Sequence, residues 1–280
     1  MKTAVVTDST SYIPKHIREN LDIYMIPLNV IINGEPYKEE IDISAPDFYE
    51  EVRNGSELPT TSQPPIGEFE ELYSQLAKEY DAIISIHLSS GISGTYQGAV
   101  AAAEMAENVK IYTYDSEISC MPQGFYVLEA AWMAQQGNGP EEILPRLDEL
   151  KAAMKAYFMV DDLSHLQRGG RLSSAQAIIG GLLNIKPVLH FENKVIVPFE
   201  KIRTRKKALK RIQEMLGEDV DKGMRLKATI IHANRVQEAA EWKSELEALY
   251  PTVEFSISYF GPVIGTHLGE GAMGLGWTVK

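Results

Sequence analysis

Short apolar runs alternate with amphipathic stretches over the first 115 residues. Residues 3–7 (Thr-Ala-Val-Val-Thr) read as a buried strand that ends at Asp8-Ser9-Thr10, with Ser11 and Pro14 opening a helix. Residues 23–32, then Asn33-Gly34, then 35–38 predict a hairpin with a primed turn, and Pro27 puts its long strand at an edge. Ser44 and Pro46 start a short helix that runs to Arg53. Pro59, Pro64 and Pro65 bracket Thr60-Thr61-Ser62-Gln63 and predict a loop outside helix and strand ladder alike, its hydroxyls free for other partners. A helix with Phe69, Leu72, Tyr73 and Leu76 on one face follows. After it come a strand at 81–88, an alanine-rich helix at 95–107 and a strand at 109–114 that ends on Asp115-Ser116.

The first and last of these strands end alike, on Asp-Ser before a helix. Strands alternating with helices imply right-handed crossovers and a mostly parallel sheet, whose ligands sit beyond the carboxyl ends of the strands. Asp8, Ser93 and Asp115 are then expected on one rim.

Helices are expected at 121–136 and at 140–155, the second with Leu144, Leu147, Leu150 and Met154 at helical spacing. A second α/β domain is expected from Tyr157, dividing the chain into 1–156 and 157–280. It reads as a helix at 163–167, a turn at Arg168-Gly169-Gly170-Arg171, an apolar helix at 174–183 and a hairpin of 186–191 with 194–199. A basic helix, a strand at 226–232, a helix at 236–249 and a strand at 253–258 follow. In the closing stretch, 261–274, glycines are too frequent for regular structure unless the backbone passes close to something.

Composition narrows the function classes. With 280 residues, 44% hydrophobic and 24% charged, the chain has the make-up of a globular protein that buries a substantial core. No apolar run approaches the ~20 residues that span a bilayer, and the N-terminus turns polar too soon for a signal peptide, so a cytoplasmic protein without stable membrane insertion is expected. The single cysteine, Cys120, offers no disulfide, CxxC pair or metal cluster and reads as a small core residue. A net charge of −12 disfavours nucleic acid as a partner. Residues 201–211 depart from it with seven basic side chains and no acid, leaving −19 on the rest: a solvated helix face or a docking patch.

The strongest candidate for chemistry is Leu88-Ser89-Ser90-Gly91-Ile92-Ser93-Gly94-Thr95-Tyr96-Gln97, which joins an apolar run to a helix through hydroxyls and glycines. Glycines let the backbone turn tightly, the following helix offers unpaired N–H groups, and Ser90 and Ser93 add donors, so the turn suits an anion. In the glycine-rich tail His267 sits beside Thr266 and is the best functional histidine. His87, His165, His190 and His232 read as structural and His16 as surface. Of Arg168 and Arg171, one is expected to be structural and one to face an anion. Asp8, Asp115, Ser93 and His267 also allow a hydrolytic triad, although Thr95 stands where a G-x-S-x-G elbow needs its last glycine. A serine hydrolase-like esterase using Ser93 and His267 therefore stays as the alternative. No P-loop, H-E-x-x-H or dinucleotide fingerprint follows a strand.

Thr7-Asp8-Ser9, Thr60-Thr61-Ser62-Gln63-Pro64, Ser89-Ser90-Gly91-Ile92-Ser93-Gly94-Thr95-Tyr96, Tyr114-Asp115-Ser116, Leu166-Gln167-Arg168-Gly169-Gly170-Arg171, Asn184-Ile185-Lys186-Pro187, Ile202-Arg203-Thr204 and Gly265-Thr266-His267-Leu268-Gly269-Glu270-Gly271 run in that order over nearly the whole chain. Together they resemble the DegV family, the fatty-acid-binding subunits of bacterial fatty acid kinase. The resemblance implies a two-domain α/β fold, with a mostly parallel sheet in the N-terminal domain and the ligand at the interface with a second α/β domain. It also implies a long-chain fatty acid in an apolar tunnel, no catalysis by this chain alone, and no cofactor of its own. The carboxylate would be held by Thr61 and Ser93, with Ser62 and Gly94 beside them. Arg171, Arg203 and His267 would serve phosphotransfer and docking of a kinase partner that holds ATP. Glu270 departs from an anion site and is expected to point away or to pair with a basic group.

Overall fold

The computed structural model describes residues 1–55, 57–172 and 185–280. The apolar helix expected at 174–183 lies outside these residues. Strands β1 (Thr3–Asp8), β2 (Ile23–Ile26), β6 (Ala82–His87) and β7 (Lys110–Asp115) form a parallel sheet in the order β2-β1-β6-β7. Every residue of β1 and β6 is buried, because helices cover both faces of the sheet. On one face lie α3 (Ile66–Leu76) and α4 (Thr95–Met105), whose Phe69, Tyr73, Leu76 and Ala99 pack on Val6 and Ile83. On the other lie α5 (Cys120–Gln135) and α6 (Pro140–Ala153), where Tyr126, Ala130, Ile143, Leu147 and Leu150 meet Val5, Ile84 and Ile86.

Two readings of this half are corrected. The stretch 23–32 is not one strand: Pro27 interrupts it, β2 pairs in parallel with β1, and β3 (Asn29–Ile32) forms the hairpin with β4 (Glu35–Lys38). The primed turn is there, with φ of 52° at Asn33 and 84° at Gly34. The proline-flanked loop is also not outside the ladder. Thr60–Ser62 is a strand, β5, paired antiparallel with β3 so that Thr61 lies opposite Val30. The prolines flank the paired residues instead of interrupting them.

The second sheet holds six strands in the order β10-β9-β8-β13-β11-β12. They are β8 (Lys155–Met159), β9 (Val188–Glu192), β10 (Val195–Glu200), β11 (Leu226–His232), β12 (Glu254–Tyr259) and β13 (Met273–Val279). The chain enters this sheet at Lys155, just before the division placed after residue 156. Of the remaining helices, α1 (Lys15–Asn20), α2 (Ala45–Asn54) and α7 (Ser164–Arg168) are joined by α8 (Arg205–Val220) and α9 (Val236–Leu249) on this sheet. The glycine-rich tail forms regular structure: α10 (Pro262–Leu268) and then β13, antiparallel to β8 on one side and to β11 on the other. The close approach that glycine frequency suggested is the reason a strand fits here. A Cβ on Gly276 would stand 2.5 Å from Pro122 on α5, and one on Gly274 3.0 Å from the Cβ of Phe158.

A third apolar cluster runs between the sheets, joining Leu28, Val30, Phe48, Leu88, Phe158, Ile231, Phe260 and Ile264. Behind it Glu39, fully buried, takes hydrogen bonds from Ser9 Oγ (2.6 Å), Tyr12 OH (3.0 Å) and the Val263 N–H (2.7 Å), fastening the β3–β4 hairpin to the start of α10.

Candidate functional site

The turn after β6 is built from the ends of three parallel strands. Asp8, buried at the end of β1, accepts from Thr10 Oγ1 (2.6 Å), the Leu88 N–H (2.9 Å) and Gln123 Nε2 (3.2 Å), and meets His87 Nδ1 at 3.1 Å. Asp115, at the end of β7, accepts from Ser90 Oγ (2.5 Å) and the Ser90 N–H (3.1 Å) and pairs with Lys194 Nζ (3.0 Å). Burial would raise the Asp115 carboxyl, but hydrogen bonds from Ser90 and Lys194 outweigh it and hold the group below its ordinary value. Both aspartates and Ser90 are thus spent on shaping the turn.

Ser93 Oγ lies 2.8 Å from Thr95 Oγ1 and accepts from the Thr95 N–H at 3.3 Å, at the start of α4. Gly94 faces the amide end of the exposed Gln63 side chain, which a Cβ there would push aside. Across the opening, Thr61 Oγ1 and His267 Nε2 are 2.9 Å apart, joining β5 to α10. Ser62 is exposed and accepts weakly from Asn29 Nδ2 at 3.4 Å. Arg171 donates to the carbonyls of Ile92 (3.1 Å) and Gly169, so it lies along the rim.

Thr61, Ser62, Ser93, Gly94, Arg171 and His267 all line the mouth of one cavity of about 860 Å³, mouth included. Inward its walls are apolar, with Leu28, Leu88, Ile92, Phe158, Ile231, Phe260, Ile264 and Leu275. Cys120 is part of this wall and burial pushes its thiol up, which fits the reading of a small apolar residue.

His267 is neutral near pH 7, because burial, then the charge of Arg171 and then His165, push it down to about 4. Its Nδ1 is buried and has no hydrogen-bonding partner among the described residues. A bare lone pair is less costly than a buried, unpaired N–H, which assigns the proton to Nε2. His267 then donates to Thr61, and the Thr61 hydroxyl hydrogen is free to donate into the cavity.

Outside the mouth, Thr61, Arg171 and His267 also border a groove of about 740 Å³ with His165, Arg168 and Thr266. His165, which the sequence marks as structural, thus borders this groove as well. The sequence signal for it was its place one turn before Arg168 in the helix leading to the Arg-Gly-Gly-Arg turn. Arg203 is not brought to the mouth: it is exposed in a separate groove with Lys201, Lys207 and Lys210. Glu270 pairs with Arg53 (3.0 Å) and Arg235 (3.6 Å) and accepts from Asn234 (3.0 Å), and it lines neither the cavity nor the outer groove. The residues of the alternative triad are not joined, since Ser93 bonds Thr95 and His267 bonds Thr61; the serine–histidine–aspartate chain that is joined, Ser85 Oγ to His87 Nε2 at 2.7 Å and His87 Nδ1 to Asp8 at 3.1 Å, is fully buried and lines neither the cavity nor the outer groove.

Residues 2–280 match the family model described as "Uncharacterised protein, DegV family". Protein DegV of Bacillus subtilis (strain 168) is 62% identical over 281 residues, covering 100% of both chains. A crystal structure described as DegV, a fatty acid binding protein from Bacillus subtilis, matches this fold with a TM-score of 0.95 at 62% identity over 100% of both chains. A DegV family protein from Thermus thermophilus, described by its fatty acid binding, gives a TM-score of 0.93 at 31% identity, again over 100% of both.

Proposed function

This chain belongs to the DegV family, and from that premise we propose that it carries one long-chain fatty acid and presents its carboxylate to a kinase partner that holds ATP. The observation that carries the reading is an apolar-walled cavity lined at one end by the hydroxyls of Thr61 and Ser93. The alkyl tail supplies most of the affinity: about 15 methylenes at ~0.8 kcal/mol each give on the order of 12 kcal/mol before the costs of binding. Hydroxyls hold the head group without leaving a buried cation unpaired when no acid is bound. The partner phosphorylates the carboxylate at the mouth and forms an acyl phosphate, with Arg171 and His267 on the rim and Arg203 on the docking face.

Native mass spectrometry of protein purified from cells, with lipid extraction, is the direct test. A fatty acid in one-to-one ratio is expected, and protein free of lipid that also fails to take up added fatty acid would overturn the reading. Thr61→Ala and Ser93→Ala each remove a hydrogen bond to an anion, worth about 1.5–3 kcal/mol, so affinity should fall roughly 10- to 100-fold. Covalent labelling of Ser93 by an active-site serine probe would instead favour the esterase.

Arg203→Ala is expected to leave lipid binding intact and to lower acyl phosphate formation with the partner at least tenfold. His267→Ala should lower both, because His267 holds Thr61. Unchanged phosphorylation in both variants would remove the docking assignment.

A further inference from the structure

The deep end of the cavity stops at a thin partition. Ile118, Ala156, Tyr157 and Phe191 line both the cavity and a second space of about 590 Å³ behind it. Ile118 comes from the loop after β7, Ala156 and Tyr157 from β8, and Phe191 from β9. Tyr157 is held from three sides, stacked on His190 at 5.7 Å and packed on Phe199 at 5.0 Å and Trp277 at 5.6 Å. Phe191, partly buried like Tyr157, packs on Phe158 at 6.4 Å and against both the cluster around the cavity and the cluster under α5 and α6. Its ring is the bulk of the partition that a single substitution removes.

The space behind is of opposite character. Glu117, Lys151, Lys155, Asn193 and Lys194 line it, and the Tyr126 hydroxyl there is buried with no hydrogen-bonding partner among the described residues. A terminal methyl pushed past Phe191 would leave apolar walls for these charged and polar groups, which is unfavourable. A chain that ends short of the partition keeps every carbon against Phe158, Leu275 and their neighbours.

We infer that the partition of Ile118, Ala156 and Phe191 sets the longest acyl chain this protein accepts, with the polar chamber behind it making the limit sharp. The inference rests on the fatty-acid reading of the cavity.

The test is competition among saturated acids from dodecanoic to docosanoic in equimolar mixture, with the bound distribution read by native mass spectrometry. The wild-type protein should show a cut-off beyond which affinity drops at least tenfold. Phe191→Ala, and Phe191→Leu to a smaller degree, should move that cut-off to longer acids while the shorter ones still bind. Phe191→Trp should move it the other way. An unchanged cut-off in Phe191→Ala protein that is folded and still binds the shorter acids would overturn the inference alone. No bound acid in the wild-type protein would overturn the fatty-acid reading and the inference with it.

Discussion

Glu39→Gln is expected to gain steadily in stability over the wild-type protein as pH rises from about 5 to 8. The carboxyl is fully buried, and the groups that bond to it are neutral: Ser9 Oγ, Tyr12 OH and the Val263 N–H. Burial pushes Glu39 up to about 8 from an ordinary 4.5, against the hydrogen bonds from Ser9 and Val263, with the charge of Glu40 adding to the rise. Between those two values the folded protein holds a proton that the unfolded chain has released. Stability is therefore fully present below the unfolded value and is lost as pH climbs through the folded one. At pH 7 the loss amounts to roughly 3 kcal/mol, from about 1.36 kcal/mol per unit.

Glutamine keeps the shape and one donor of the protonated acid and never ionises. Denaturant unfolding of both proteins from pH 5 to 8.5 checks this, with the variant gaining on the wild type as pH rises. His267, pushed down to about 4, lowers stability on the acid side as pH falls below its unfolded value near 6.5, and it does so equally in both proteins. A variant whose stability runs parallel to the wild type across the whole range would refute the claim. The consequence reaches the site, since the Val263 amide that Glu39 holds opens the helix carrying His267.

Gly91→Ala should destabilise the fold by about 3 kcal/mol, lower Tm by roughly 5 °C and weaken lipid binding more than tenfold. The added Cβ would strike the Lys194 carbonyl oxygen and stand 2.7 Å from its carbon. That backbone has nowhere to go. Lys194 sits at the tip of the β9–β10 hairpin with φ of 72°, its carbonyl accepts from Ser89 Oγ at 2.7 Å, and its ammonium pairs with Asp115 at 3.0 Å. The methyl would therefore wedge the hairpin away from the turn that carries Ser93. Gly67→Ala is the control: nothing lies within 4 Å of its added Cβ, and alanine is the better helix former, so stability should stay level or rise by a few tenths of a kcal/mol. Equal Tm values for the two variants would sink the wedge argument.

Much of the site was legible because its polar residues stand in short motifs at strand ends. Thr61, Ser93, Arg171 and His267 were singled out before any geometry, and all line one mouth. Arg203 was singled out with them and lies in another groove. Asp8 and Asp115 are expected on one rim with Ser93, and hydrogen bonds from Thr10, Leu88, Gln123, Ser90 and Lys194 occupy their oxygens there. His165 and Glu39 carried no motif that marked them. Glu39 gains its character from a hairpin, a short helical turn and an amide 224 residues away.

The sequence by itself determined the order and type of most elements, since apolar periodicity, caps and turn residues act through neighbours within a few positions. It also marked Thr61, Ser93 and His267 as polar groups set among glycines, prolines and hydroxyls. Only the tertiary structure decided which of them share one cavity mouth, because hydrogen-bond partners such as Thr61 and His267 are 206 residues apart in the chain. It likewise made a central strand of the glycine-rich tail, where a missing side chain is an advantage only once Pro122 and Phe158 press against it.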